Sequence, residues 1–186
     1  MNKKSKIFII IFFSLILIPV IVIGIINYTK EQELNNRIEN SMNTKTLSLN
    51  NITSSITLDE LLEIEMSKEY SIEDNKLKYD NDSTKKDFTV EYTNTSFNGS
   101  SCIKEYFFVD EKLNMLIITI DTSHWMPKDI FTELNNINGE PEPDNSSLKE
   151  DKLGSDIYYW YGKNGTIVYT DDNISHTIEI IFEIKE

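Results

Sequence analysis

The hydrophobic pattern of this chain changes character twice. Residues 7–26 form twenty consecutive positions without a charge, preceded by Lys3, Lys4 and Lys6 and followed by Lys30, Glu31 and Glu33. At about 1.5 Å per residue a helix of that length reaches roughly 30 Å, the thickness of a bilayer's hydrocarbon core. The run predicts a transmembrane signal anchor over 7–28, with Ile7, Phe12, Leu17 and Ile26 marking its length. Residues 29–56 then lose all regular alternation and are rich in Asn, Ser, Thr and Glu. Only Leu34, Ile38 and Met42 repeat there, every fourth residue, which predicts a short helical continuation leading into a stalk.

From Thr57 onward the pattern is that of a folded domain. Thr57-Leu58-Asp59-Glu60 is a capping box, and Leu58, Leu61, Leu62 and Met66 predict one apolar face of a helix of about three turns. Strand chemistry follows at Leu77 and Tyr79, at Phe88, Val90 and Tyr92, at 103–109, and at Leu116, Ile118 and Ile120. Asn98-Gly99 and Asp110-Glu111-Lys112 are turn signals between these runs, so neighbouring strands are expected to pair antiparallel. A second helix is expected from Pro127, with Ile130, Phe131, Leu134 and Ile137 on its apolar face and Gly139 ending it. Strands resume at 157–161, turn at 162–165, continue through 166–170, and finish with Ile178, Ile180, Phe182 and Ile184 in strict alternation. The expected fold class is α+β: a transmembrane helix, a stalk, and an antiparallel sheet with one face covered by two helices. The order helix, meander, helix, meander suggests sub-repeats at 57–122 and 123–186 within a domain spanning 57–186, behind a basic tail at 1–6.

Charge and composition set the address. Lys3, Lys4 and Lys6 place the N-terminus in the cytoplasm by the positive-inside bias, with the domain outside the cell membrane. The alternative is secretion after signal cleavage near residues 22–24, although the apolar run continues past that point and the chain contains no alanine for an Ala-x-Ala site. The formal charge is −13, and residues 29–186 alone carry −16. Such acidity argues against nucleic acid as a partner and against a basic patch docking on anionic lipid. Cys102 is the single cysteine, so an internal disulfide is impossible and the core alone must hold the domain.

The chain offers little catalytic or metal chemistry. Asp80-Asn81-Asp82-Ser83-Thr84 with Glu91 echoes a calcium loop, but Lys85 stands where that loop requires glycine. His124 and His176 have no ligand partner at helical spacing, and Asp121-Thr122-Ser123-His124 crowds triad residue types without the convergence a triad needs. No catalytic residue, metal ligand or cofactor is expected. The densest aromatic run is Tyr158-Tyr159-Trp160-Tyr161, where strand alternation sends one pair to the core and the other outward. Exposed Tyr and Trp bury large areas at low entropic cost, so Tyr159 and Tyr161, with Trp125 and Met126 at the rim, are the candidate partner-binding residues.

Leu58-Asp59-Glu60-Leu61-Leu62, the strand end Tyr106-Phe107-Phe108-Val109-Asp110, the helix from Leu134 with its Asn-Gly-Glu-Pro exit, and Tyr159-Trp160-Tyr161 together resemble the small α+β domains of beta-lactamase-inhibitor proteins and small outer-membrane-assembly lipoproteins. The resemblance is one of layout, covers residues 56–186, and lacks those groups' lipid-attachment cysteine and cysteine pairs. It implies a protein-binding scaffold. The expectation is a single-pass membrane protein whose extracytoplasmic domain binds a protein or envelope component, as an inhibitor, immunity or assembly factor does. The alternatives are an enzyme acting on envelope material and a structural envelope protein without a specific ligand.

Overall fold

The structure is a computed structural model that describes residues 3–66, 69–74, 87–122, 130–143, 155–172 and 174–185. The chain divides into two compact units, residues 1–40 and 41–186.

The first unit is a single helix, α1, which spans Lys3–Thr44 and so runs on into the start of the second. Its side chains are described from Ile18. Ile18, Val20, Ile21, Val22, Ile23, Ile25 and Ile26 are all exposed, and Pro19 lies within the helix. Among the described residues no helix is long and apolar enough to cross a membrane; of the expected anchor, side chains are described only from Ile18 onward.

The second unit is α+β. Helix α2 spans Leu58–Ile64 and α3 spans Ile130–Asn138. The strands are β1 (Ser71–Asp74), β2 (Phe88–Phe97), β3 (Ser100–Val109), β4 (Lys112–Asp121), β5 (Glu142–Pro143), β6 (Ser155–Gly162), β7 (Gly165–Asp172) and β8 (Thr177–Ile184). They form one antiparallel sheet in the order β1-β2-β3-β4-β8-β7-β6-β5. The sequence of neighbours is palindromic about the β4/β8 junction: two four-stranded meanders meet at their last strands, and each ends outward on a short edge. The edge strand β5 carries Pro143, which lacks the N–H another strand would need to extend the sheet.

Local chemistry explains the hairpins. The β2–β3 turn places Asn98 and Gly99 at φ 48° and 78°, and the β3–β4 turn places Asp110 and Glu111 at 50° and 67°. Two consecutive left-handed residues match the twist of the flanking strands, and Asn, Asp and Gly reach that region most easily. In the β6–β7 hairpin, Gly165 sits at φ 145°, and a Cβ there would fall 2.0 Å from the Glu183 carbonyl oxygen. Only glycine fits this closeness between β7 and β8.

Alternation divides the sheet into two faces. Val90, Tyr106, Leu116, Phe182, Ile167 and Trp160 are successive cross-strand partners, and every one is buried. On the same face Phe131 of α3 packs its ring on Tyr158, Trp160 and Tyr169, while Leu61 of α2 is buried in the same core. Cys102 also points into this core, where a free cysteine behaves as a small hydrophobe.

Several sequence expectations are corrected. Helix α2 stops after two turns, and Met66, expected on its apolar face, stands 85% exposed at φ 52°, while Glu65 turns inward instead. The capping box itself forms as expected: the Glu60 N–H reaches the Thr57 hydroxyl, and the Thr57 N–H donates to the Glu60 carboxylate at 2.7 Å. In α3, Ile137 is exposed and Asn138 is buried in its place, because Asn138 binds the backbone of Ser48. Gly139 follows at φ 79° and closes the helix as expected. The expected strand at Leu77 and Tyr79 lies outside the described residues; the edge strand that is described is β1.

The largest correction concerns the stalk. Residues 45–56, expected to be a loose linker, belong to the second unit, and Leu47, Leu49 and Ile52 are buried to 1% exposure or less. Leu49 and Ile52 exchange both backbone hydrogen bonds across Asn50 and Asn51, whose φ values of 53° and 65° make a tight hairpin turn. The Asn164 side chain accepts from the Leu47 N–H at 2.8 Å and donates to the carbonyls of Leu47 and Thr53. Asn138 treats Ser48 likewise, accepting its N–H at 2.8 Å and donating to its carbonyl at 3.1 Å. Each amide thus stands in for a neighbouring strand and satisfies backbone groups that burial would otherwise leave costly. At the far end, the Leu113 N–H donates to the Ile56 carbonyl. Burying Leu47, Leu49 and Ile52 contributes about 1.5–3 kcal/mol each.

A chain comprising residues 41–186 is therefore expected to unfold cooperatively in urea, whereas one beginning at Thr57 is expected to lack a cooperative transition. Equal transitions for the two, followed by circular dichroism, would show that the segment is dispensable.

Candidate functional site

Strand β6 carries the aromatic run, and its neighbours decide which side each ring takes. Trp160 pairs with Ile167 on the core face, and its indole N–H donates to the Gly139 carbonyl at 2.7 Å; Tyr158 lies on the same face against Phe131. Tyr159 and Tyr161 therefore point to the opposite face. Both are half-buried, and their rings stack with centroids 6.0 Å apart and planes 11° apart. The cross-strand row through Tyr159 continues as Val168, Ile181 and Ile117, then changes to Glu105 and Glu91. The adjacent row from Tyr161 runs through Thr166, Glu183, Met115 and Phe107. None of the contacts described for α2 or α3 falls on these rows. Trp125 and Met126, the other candidate binding residues, lie outside the described residues, as does His124.

One half of this face is apolar and the other acidic. Glu91 and Glu105 are direct cross-strand partners, an arrangement that repels. Partial burial pushes the Glu105 carboxyl above its ordinary value, and the charges of Glu91, Glu179 and Glu73 add to the rise. The residues 80–86 of the expected calcium loop are not described, but Glu91 itself belongs to this acidic group. Among the described residues no cluster of His, Cys, Asp or Glu could hold a metal ion. His176 is exposed in the β7–β8 turn, where its carbonyl accepts from the Thr122 N–H at 2.8 Å.

The core face holds a second constellation, which sequence reasoning missed. Lys104 and Glu65 are 1% and 2% exposed, and Lys104 Nζ lies 2.9 Å from Glu65 Oε1. The same carboxylate oxygen accepts from Asn50 Nδ2 at 2.7 Å and from the Tyr106 hydroxyl. Asn50 closes the ring: its Oδ1 accepts from Lys104 Nζ at 3.0 Å, and its Nδ2 also donates to the Tyr106 oxygen at 2.9 Å. Three elements meet here. The left-handed turn delivers Asn50, the C-cap of α2 delivers Glu65, and the core-facing positions of β3 deliver Lys104 and Tyr106. Burial and the Glu65 charge push the Tyr106 hydroxyl far up, and burial first, then Glu65, raises Tyr92 to about 12. Tyr92 meets Tyr106 edge-on at 5.8 Å, and its buried hydroxyl has no hydrogen-bond partner among the described residues. Removing one partner of such a buried ion pair costs about 3–5 kcal/mol. The signal for Lys104 was present in the sequence: it shares the odd-even parity of Cys102, Tyr106 and Phe108, all of which are buried.

Comparison with known proteins leaves the geometry to speak for itself: no protein-family model matches the chain, and neither a curated protein nor a solved structure does.

The acidic face yields a pH signature. A carboxyl raised on folding binds its proton more tightly in the folded state, so stability declines as pH rises through the interval above the ordinary value of 4.5. Glu105→Gln is expected to stabilise the protein at neutral pH and to lose that advantage below pH 4.5. Urea midpoints of the two proteins across this range check it; an equal difference at both ends would contradict the assignment.

Proposed function

We propose that this protein is a membrane-anchored, extracytoplasmic binding module, whose contact surface is the sheet face carrying Tyr159 and Tyr161. The observation that carries the reading is the continuous row Tyr159, Val168, Ile181 and Ile117, each half-buried, beside the acidic half of the same face. A row of this kind offers rigid aromatic area at low entropic cost, and the flanking Glu105, Glu91, Glu179 and Glu183 favour a partner that presents apolar side chains beside Lys or Arg. The partner class is a protein of the cell envelope. The acidic domain disfavours nucleic acid.

Anchoring rests on the uncharged run at 7–26, on the three lysines before it, and on the exposure of every described aliphatic side chain from Ile18 to Ile26. Apolar residues all round a helix suit a lipid environment. The domain is read as a tandem of helix-plus-meander units, one built on α2 and β1–β4 and the other on α3 and β5–β8. The palindromic strand order supports it, since a two-fold relation between the halves would pair β4 with β8. This layout is the one on which the resemblance to inhibitor and assembly-factor domains was drawn, where it serves protein binding.

The test is photo-crosslinking in intact cells from a probe on the outer sheet face. Tyr159→Ser combined with Tyr161→Ser is expected to lower the yield of one stoichiometric adduct by about tenfold or more, with the thermal unfolding midpoint little changed. An undiminished adduct would move the binding surface elsewhere, and no adduct from either protein would favour a protein without a specific ligand.

A further inference from the structure

The buried ring of Asn50, Glu65 and Lys104 holds the three groups that amide exchange between side chains requires. Lys104 Nζ carries only donors and Glu65 Oε1 only accepts, so the Asn50 amide must face the lysine with its oxygen and the carboxylate with its nitrogen. That is the arrangement found, with Nζ 3.0 Å from Oδ1 and Nδ2 2.7 Å from Glu65 Oε1. The nucleophile, the carbonyl and the proton carrier are thereby held together before any reaction, and the carbonyl carbon is the atom next to the oxygen that Nζ already touches. Proximity of this kind replaces the entropy a bimolecular encounter would lose. Lys104 is 1% exposed and has Tyr92 and Ile118 as its strand neighbours, so its amine is held out of bulk water against the amide it touches.

We propose that Lys104 and Asn50 become joined by an intramolecular isopeptide bond, with Glu65 as the proton carrier. The Lys104 ammonium gives a proton to the Glu65 carboxylate, and the freed lone pair of Nζ attacks Asn50 Cγ. Glu65, hydrogen-bonded to both nitrogens, then passes protons from the attacking Nζ to the departing Nδ2. The Cγ–Nδ2 bond breaks as the Cγ–Nζ bond is completed. One hydrogen remains on the new amide and the other four leave with Nδ2 as ammonium, so charge balances and nothing is oxidised or reduced. Tyr106, donating to Glu65 and accepting from Asn50 Nδ2, is a positioning residue for both.

The bond would clamp the hairpin of residues 49–52 to β3, across a sequence separation of 54 residues. Residue 50 lies six positions beyond the end of α1, so tension applied through that helix would meet a covalent link before it could strip residues 51–56 from the core.

The experiment uses the full chain, purified in detergent, denatured, and digested for peptide mass mapping. The expected result is a branched peptide joining the fragment containing Asn50 to the fragment containing Lys104, lighter than their sum by about 17 Da for the lost ammonia. Lys104→Arg and Glu65→Gln should each give linear fragments only. Because the deciding readout comes from the unaltered chain, it holds even if a variant folds poorly. Linear fragments from the unaltered chain would overturn the proposal. So would a loss of about 17 Da confined to the Asn50 fragment, which marks cyclisation of Asn50 onto its own backbone.

Discussion

Everything in the second unit depends on how a polar, irregular segment is accommodated on the buried face of a sheet. Backbone amides taken out of water must find partners, and among the described backbone–backbone hydrogen bonds residues 45–56 meet strands and their turns only at Lys45 and Ile56. The fold answers with side-chain amides. Asn164 and Asn138, separated from their targets by 117 and 90 residues, bind the backbone of Leu47 and Ser48 as a strand would. With those groups satisfied, Leu47, Leu49 and Ile52 can be buried, and the turn between them can carry Asn50 to the charged pair beneath α2. Space is as closely set as polarity: a Cβ on Gly162 would lie 2.6 Å from Leu47 Cγ.

This arrangement separates the tasks of the two sheet faces. The core face is used up by the helices, by the inserted segment, and by a polar ring that joins them, so its aromatic residues Tyr158 and Trp160 are structural. The other face keeps Tyr159 and Tyr161 in a half-buried stack. The acidic side of the same face is held at a cost, since Glu105 and Glu91 repel across the β2–β3 pair. A surface that is both apolar and electrostatically strained is more easily explained by a partner than by stability alone.

Much of this was legible in the sequence wherever a signal was local. Asn98-Gly99 marked its hairpin, Thr57 and Glu60 marked a helix start, and Ile178, Ile180, Phe182 and Ile184 gave the core side of β8 by parity. The same parity split Tyr158 and Trp160 from Tyr159 and Tyr161, though it did not say which pair faced inward. The inserted segment was not legible, because Leu47, Leu49 and Ile52 are scattered among Asn, Ser and Thr and follow no helical or strand period over a useful length. Its partners, Asn138 and Asn164, look like ordinary helix-end and turn residues until the fold brings them across. Glu65 carries no local signal of its own, because it is the early end of α2 that turns it inward to Lys104.

Amide hydrogen exchange measured residue by residue tests the dependence of the fold on this segment most directly. If residues 45–56 organise the core, the amides of Leu47, Leu49 and Ile52 should exchange only through the global opening that also releases Leu116 of β4 and Ile180 of β8, with matching free energies and matching response to denaturant. Exchange of the three amides at markedly lower free energy, with the central strands still protected, would show a segment laid on a sheet that is already complete without it.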